Sequence, residues 1–267
     1  MKLRPIAGVL LRQFYLLRGS PVRIIPMFAW VGIDIVLWGF LTRYLNAVGG
    51  GHIDFVPQLL GAVLFWDFLA RIMQGVTVAF LEDVWSRNFL NLFATPLSIA
   101  EYVTGLVLTG IATSVLGLLV MIVLATLVFG LAFASLGVLL AYFVLVLLVF
   151  GIVLGILCSA MVLRWGPTAE WLIWPVPALL APFAAVFYPV ATLPGWMQTV
   201  ASVLPPSYVF EALRSHLADR AASTGGLLGA SLLTLLYLLL SAAVFSRVYR
   251  HVVRSGLLAR YSAESPG

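Results

Sequence analysis

Six runs of apolar residues, each long enough to cross a bilayer, leave this chain few folds to choose from. They cover residues 24–45, 55–80, 102–129, 136–163, 171–188 and 227–249. A hydrocarbon core of about 30 Å takes about 20 helical residues. Backbone in lipid must satisfy its own amides and carbonyls, so each run is predicted to be a helix. The rest of the composition agrees, with 63% hydrophobic and 9% charged residues and a mean hydropathy of +1.10, well outside the range of soluble domains. The expected fold is an all-α polytopic membrane protein forming one domain over residues 1–267. No connection between spans is long enough for a soluble domain.

One apolar stretch cannot span. Residues 187–214 are broken by Pro189, Pro194, Pro205 and Pro206, and interrupted helix is tolerated in lipid only where protein or a water-lined cavity covers it. The stretch reads as two short helices dipping into the membrane over about 189–214, a candidate gate or exit. Pro175, Pro177 and Pro182 should also bend the fifth span, since each removes a helical amide donor.

Charge orients the spans. Lys2, Arg4, Arg12, Arg18, Arg23, Arg87, Arg164, Arg247, Arg250, Arg254 and Arg260 fall on one side, and Arg43, Arg214 and Arg220 on the other. The positive-inside bias puts both termini in the cytoplasm of an inner or plasma membrane, and the broken segment outside. The basic excess, 15 Lys and Arg against 10 Asp and Glu, is thereby explained by topology and calls for no nucleic acid. The first apolar run is too long for a signal peptide and is expected to stay as an anchor. Before it, Leu3, Ile6, Ala7, Leu10, Phe14 and Leu17 oppose Arg4, Arg12 and Tyr15 at helical spacing, as in an interfacial helix.

Between spans two and three, residues 82–93 form an expected short amphipathic helix. At 100° per residue, Leu81, Val84, Trp85, Phe89 and Leu92 share one face, and Glu82, Asp83, Ser86, Arg87 and Asn91 the other. Leu90 falls in the middle of the polar face, where a solvated helix gains nothing from it. Leu90 and Phe93 are therefore candidates to enter a pocket on a soluble partner.

Ionisable residues inside spans are costly and tend to be functional. Asp34, Asp67 and Arg71 are these residues. Asp67 and Arg71 stand four apart and can pair on one helix face; Asp34 either reaches Arg71 across helices or faces a water-filled pathway. Gly151, Gly155 and Ser159, and Gly105, Thr109, Thr113 and Gly117, follow the small-xxx-small pattern of close helix contact. Trp30, Trp38, Trp66, Trp171 and Trp174 suit an interfacial belt or an amphiphilic cargo.

The order of these features resembles the permease subunit of the type-2 class of ABC exporters, which move polysaccharides, drugs and other amphiphiles. The resemblance rests on the basic amphipathic N-terminal helix, Gly61 and Trp66 in the second span, and Glu82-Asp83 with Arg87, followed by Thr95-Pro96-Leu97-Ser98. Above all it rests on Phe187-Tyr188-Pro189, Leu193-Pro194-Gly195-Trp196, Pro205 and Glu211-Ala212-Leu213-Arg214. It implies six spans per subunit and a symmetric permease homodimer with two docked ATPase subunits. It also implies that residues 82–93 are the coupling helix and residues 189–214 the re-entrant exit helices. The ATPase contact would then be carried by Glu82, Asp83, Ser86, Arg87, Leu90, Asn91 and Phe93. The exit would be carried by Tyr188, Pro189, Leu193, Pro194, Trp196, Pro205, Glu211 and Arg214.

Catalysis by the chain itself is not expected. A phosphate-binding loop needs a lysine, and the only lysine is Lys2; ATP and Mg would sit on a separate ATPase subunit. His52, His216 and His251 lie outside the six expected spans, no H-E-x-x-H helix exists, and the single cysteine, Cys158, excludes a cysteine metal cluster. No cofactor is expected on this chain. A secondary carrier or channel without an ATPase is the alternative.

Overall fold

The computed structural model describes residues 3–48, 56–86, 91–92, 95–131 and 133–257. Its helices are α1 (Leu3–Arg18), α2 (Pro21–Val48), α3 (Gly61–Trp85), α4 (Ile99–Phe129), α5 (Val138–Trp165), α6 (Glu170–Ile173), α7 (Val176–Leu180), α8 (Gly195–Ser202), α9 (Pro205–Leu217) and α10 (Thr224–Arg254). A π-helical turn, Val56–Leu60, leads into α3. Among the described residues there is no strand. Among the described residues, five helices are long and apolar enough to cross a membrane: α2, α3, α4, α5 and α10.

Local chemistry sets several of these ends. Ser98 and Glu101 form a reciprocal capping box at the start of α4: the Ser98 hydroxyl accepts from the Glu101 amide, and the Ser98 amide donates to Glu101 Oε2 at 3.1 Å. The same helix ends at Gly130, whose φ of 72° favours a residue without Cβ. Ser223 caps α10 by accepting from the Gly226 amide. Pro205 and Pro206 open α9, where a missing amide costs nothing.

The predicted fifth span is where sequence and structure differ most. Residues 171–188 form no single helix: α6 and α7 are separated at Trp174 and Pro175, and turns follow to Ala185. The prolines delete amide donors, yet the backbone at Trp174, Pro175 and Ala181 keeps right-handed helical dihedrals. Leu179 and Ala184 still donate to carbonyls four residues back, at 2.8 and 2.9 Å. The stretch is thus a helix with its ladder cut, and it runs lengthwise along the bundle. At one end Trp85 Nε1 donates to Glu170, and toward the other Phe187 stacks on Trp38 with centroids 5.3 Å apart. It closes at Ala185, buried with φ of 51°.

α3 is the central helix, packed between α4 and α5, with α10 beyond α5 and α1 laid against α4. Phe68, Leu69, Ile72 and Met73 are completely buried. Lipid tails are as apolar as leucine, so helices in a bilayer associate by close packing and not by escape from water. Glycine supplies that closeness here. A Cβ on Gly151 would lie 2.9 Å from both Ile72 and the Leu69 carbonyl, and one on Gly155 would lie 2.7 Å from Val76. On the other side of α3, a Cβ on Gly75 would lie 2.9 Å from the Gly110 Cα.

α1 sits differently from its sequence expectation. Ile6, Val9 and Gln13 are buried against the bundle, whereas Leu3, Phe14 and Tyr15 point outward. Docking on α4, at Gly105 against Val9, rotates the helix from the orientation a flat interface would select.

Candidate functional site

The polar residues of α3 make a stripe. Asp67, Arg71, Gln74 and Glu82 recur at spacings of four, three and eight, which places them on one helix face with Val78 between the last two. They line a cavity of about 610 Å³ closed by Gln13 and Leu17 of α1, Trp30 and Asp34 of α2, Thr109, Thr113 and Ser114 of α4, and Trp174. The three intramembrane charges read from sequence therefore meet in one place, and Glu82 joins them.

Arg71 Nε donates to Asp67 Oδ2 at 2.6 Å, four residues back on the same helix. Asp34 makes no hydrogen bond or ion pair with the other described side chains and faces the cavity half-buried. It shares the cavity with both Asp67 and Arg71. Thr109 and Thr113 turn their hydroxyls back onto helical carbonyls at 2.9 and 3.0 Å. Ser114 Oγ and Gln13 Nε2 are buried without a partner among the described residues. Neither residue stood out in the sequence, because an amide on an interfacial helix and a serine in an apolar span carry no signal of their own. The spacing along α3 was the readable clue.

At the α1 end of the bundle, the first residues of the helix expected over 82–93 belong to α3, and Asn91 and Leu92 are again helical. Glu82 to Trp85 form the last turn of α3, and Ser86 caps it. Asp83, expected on a solvated polar face, is fully buried: it pairs with Arg12 of α1 and accepts from the Tyr102 hydroxyl of α4 at 2.7 Å. Trp85, expected on the apolar face, is exposed and bonded to Glu170. Burial alone would lower the Arg12 pKa, but the hydrogen bond and attraction from Asp83, with smaller help from Tyr102 and Glu82, outweigh it and hold the guanidinium above its ordinary value. Ser86 and Asn91 are exposed. Arg87, Leu90 and Phe93 lie outside the described residues.

The broken segment does contain two short helices, α8 and α9. Pro194 precedes α8, and its carbonyl accepts from the Met197 and Gln198 amides. Leu193 is buried, and its carbonyl accepts from Gln198 Nε2 at 2.8 Å. Tyr188 donates to the Pro182 carbonyl at 3.0 Å, and Thr192 to that of Pro189 at 2.7 Å. Trp196 stays largely exposed beside Phe183. Pro205 is buried at the start of α9, two turns before Glu211. Glu211 Oε1 accepts from the Val190 amide at 2.7 Å and from Arg214 at 2.9 Å, while Arg214 also donates to the Val186 carbonyl at 3.3 Å. These two charged residues clamp the turn from 186 to 190 onto α9.

Residues 47–247 match the family described as ABC-2 family transporter protein. No curated protein matches the chain.

Proposed function

The chain belongs to the ABC-2 family of transporter proteins and is a multi-pass membrane permease of an ABC transporter, and from that premise we propose that it is the substrate-conducting subunit of an ATP-driven exporter. A separate ATPase subunit, carrying ATP and Mg, would dock at the α1 end of the bundle, where the positive-inside bias puts the cytoplasm. The proline-cut stretch 171–188 would serve as the sixth crossing, and α8 and α9 as re-entrant helices at the outer exit. Two permeases would pair around the path of an amphiphilic, drug-like, lipid or glycan cargo.

The observation that carries this reading is the continuity of α3. One unbroken helix bears Asp67 and Arg71 on the cavity wall and ends at Ser86, next to the connection that would receive the ATPase. A push delivered near Ser86 and Asn91 would reach the cavity without crossing a joint, and the pairing of Asp83 with Arg12 would carry it into α1 as well. ATP hydrolysis on the partner supplies the energy, and this chain's residues transmit it.

The test is copurification with, and reconstitution beside, a phosphate-loop ATPase. Wild-type chain should retain such a subunit and stimulate its ATPase activity, and Asn91→Arg should weaken both while leaving membrane insertion intact. Consistent absence of any ATPase from the purified complex would favour a secondary carrier, and full activity of Asn91→Arg would remove the contact from this connection.

A further inference from the structure

We infer that the cavity between α1, α2, α3 and α4 binds a cationic amphiphile, an apolar body whose positively charged head group seats against Asp34. This rests on the transporter reading and specifies its cargo.

Charge comes first. The ionisable groups lining the cavity are Asp34, Asp67, Glu82 and Arg71; Glu82 also attracts Arg12, so the acid left to the cavity is Asp34. The base is engaged by Asp67, and Asp34 has no ion pair among the described side chains. A carboxylate at membrane depth calls for a counter-charge, and here the open cavity is where one can be supplied. An anionic head group would meet the opposite balance.

Two orphaned polar groups point to the same space independently of the acids. Gln13 and Ser114 are 2% and 1% exposed, both line the cavity, and Gln13 Nε2 and Ser114 Oγ find no partner among the described residues. Buried polar atoms are almost always satisfied, and these two would be satisfied by a carbonyl, ether or hydroxyl oxygen of a ligand. Trp30 and Trp174 complete the walls. Indole faces attract organic cations and also pack against an apolar body. A glycan would instead need many paired donors and acceptors, whereas Thr109 and Thr113 keep their hydroxyls on their own helix.

The experiment is equilibrium binding of tetraphenylphosphonium and of tetraphenylborate, ions of like shape and opposite charge, to the purified full chain in phosphatidylcholine nanodiscs, with empty nanodiscs subtracted. The wild type should bind the phosphonium saturably and about tenfold or more tighter than the borate. Asp34→Asn should lose about tenfold in phosphonium affinity, Asp34→Glu should keep most of it, and the outward-facing Leu232→Ala should bind as wild type. Should Asp34→Asn misfold, Trp30→Leu reads the same site and should lose about threefold or more. Absence of saturable binding, equal binding of both ions, or wild-type binding by folded Asp34→Asn would overturn the inference. The assay contains no ATPase, so the two readings fail separately. Cation selectivity without any ATPase partner would sink the exporter alone, and an ATPase-coupled chain lacking cation selectivity would sink this inference alone.

Discussion

The Tyr102 hydroxyl of α4 donates to the Asp83 carboxylate of α3 at 2.7 Å, and Arg12 of α1 pairs with the same carboxylate from the other side. Three helices, α1, α3 and α4, are thereby fastened at one fully buried acid.

Breaking this junction from one side should be costly. Arg12→Met leaves Asp83 buried without its cation and is expected to destabilise the protein by about 3–5 kcal/mol, whereas Arg12→Met with Asp83→Leu should recover much of that loss. Tyr102→Phe, which removes only a hydrogen bond to a charged group, should cost about 1.5–3 kcal/mol. Thermal unfolding in detergent reads all three. The sign with pH also follows: Arg12 has its pKa raised by folding, so its contribution is fully present below the unfolded value and is lost only as pH climbs through the still higher folded value. Titration of Arg12 should thus cause no loss of stability between about pH 6 and 9.

Gly155 should tolerate no side chain. The Cβ of Gly155→Ala would lie 2.7 Å from Val76 and 3.1 Å from the Met73 carbonyl, an overpacked contact worth about 1–3 kcal/mol. Adding Val76→Ala should restore part of the loss, because the nearest obstacle is that side chain. Melting temperatures of the single and double variants provide the check.

Glu211→Ala should loosen the exit segment locally. It removes the acceptor of the Val190 amide and the partner of Arg214. Hydrogen exchange should speed up in residues 186–193 while α5 and α10 stay protected. Unchanged exchange there would mean that the clamp does not hold the turn.

Cys158 should report unfolding. It is 2% exposed in the core of α5, so a maleimide dye should leave the native protein unlabelled and react as the bundle melts. Stoichiometric labelling of the folded chain at low temperature would contradict the packing of α5 against α3.

Much of this arrangement is legible in the sequence wherever the partners are close along it. Asp67 and Arg71 are four residues apart and pair as their spacing requires. Gly151 and Gly155 mark a contact face because a small residue every fourth position has few other uses, and the proline pairs that punctuate residues 187–214 announce α8 and α9. Legibility fails where burial depends on distant residues. A wheel gives Asp83 to solvent, because neither Arg12, 71 residues earlier, nor Tyr102, 19 residues later, belongs to its helix. The fifth span is legible in part: Pro175, Pro177 and Pro182 announce a bend, but hydropathy counts them as ordinary residues of an apolar run and so does not show how far they cut the helix.

Arg43, near the end of α2 farthest from α1, donates to the Val128 carbonyl at 2.8 Å and lies over the Phe129 ring at 4.9 Å from its centroid. This contact holds that end of α2 to α4. Trp30 on the cavity wall is thirteen residues back along the same helix, an arm of about 20 Å at 1.5 Å per residue. A tilt of only about 5° around Arg43 therefore moves the cavity wall by about 1.7 Å over that arm, enough to change what the cavity holds while the far end of α2 stays where it is.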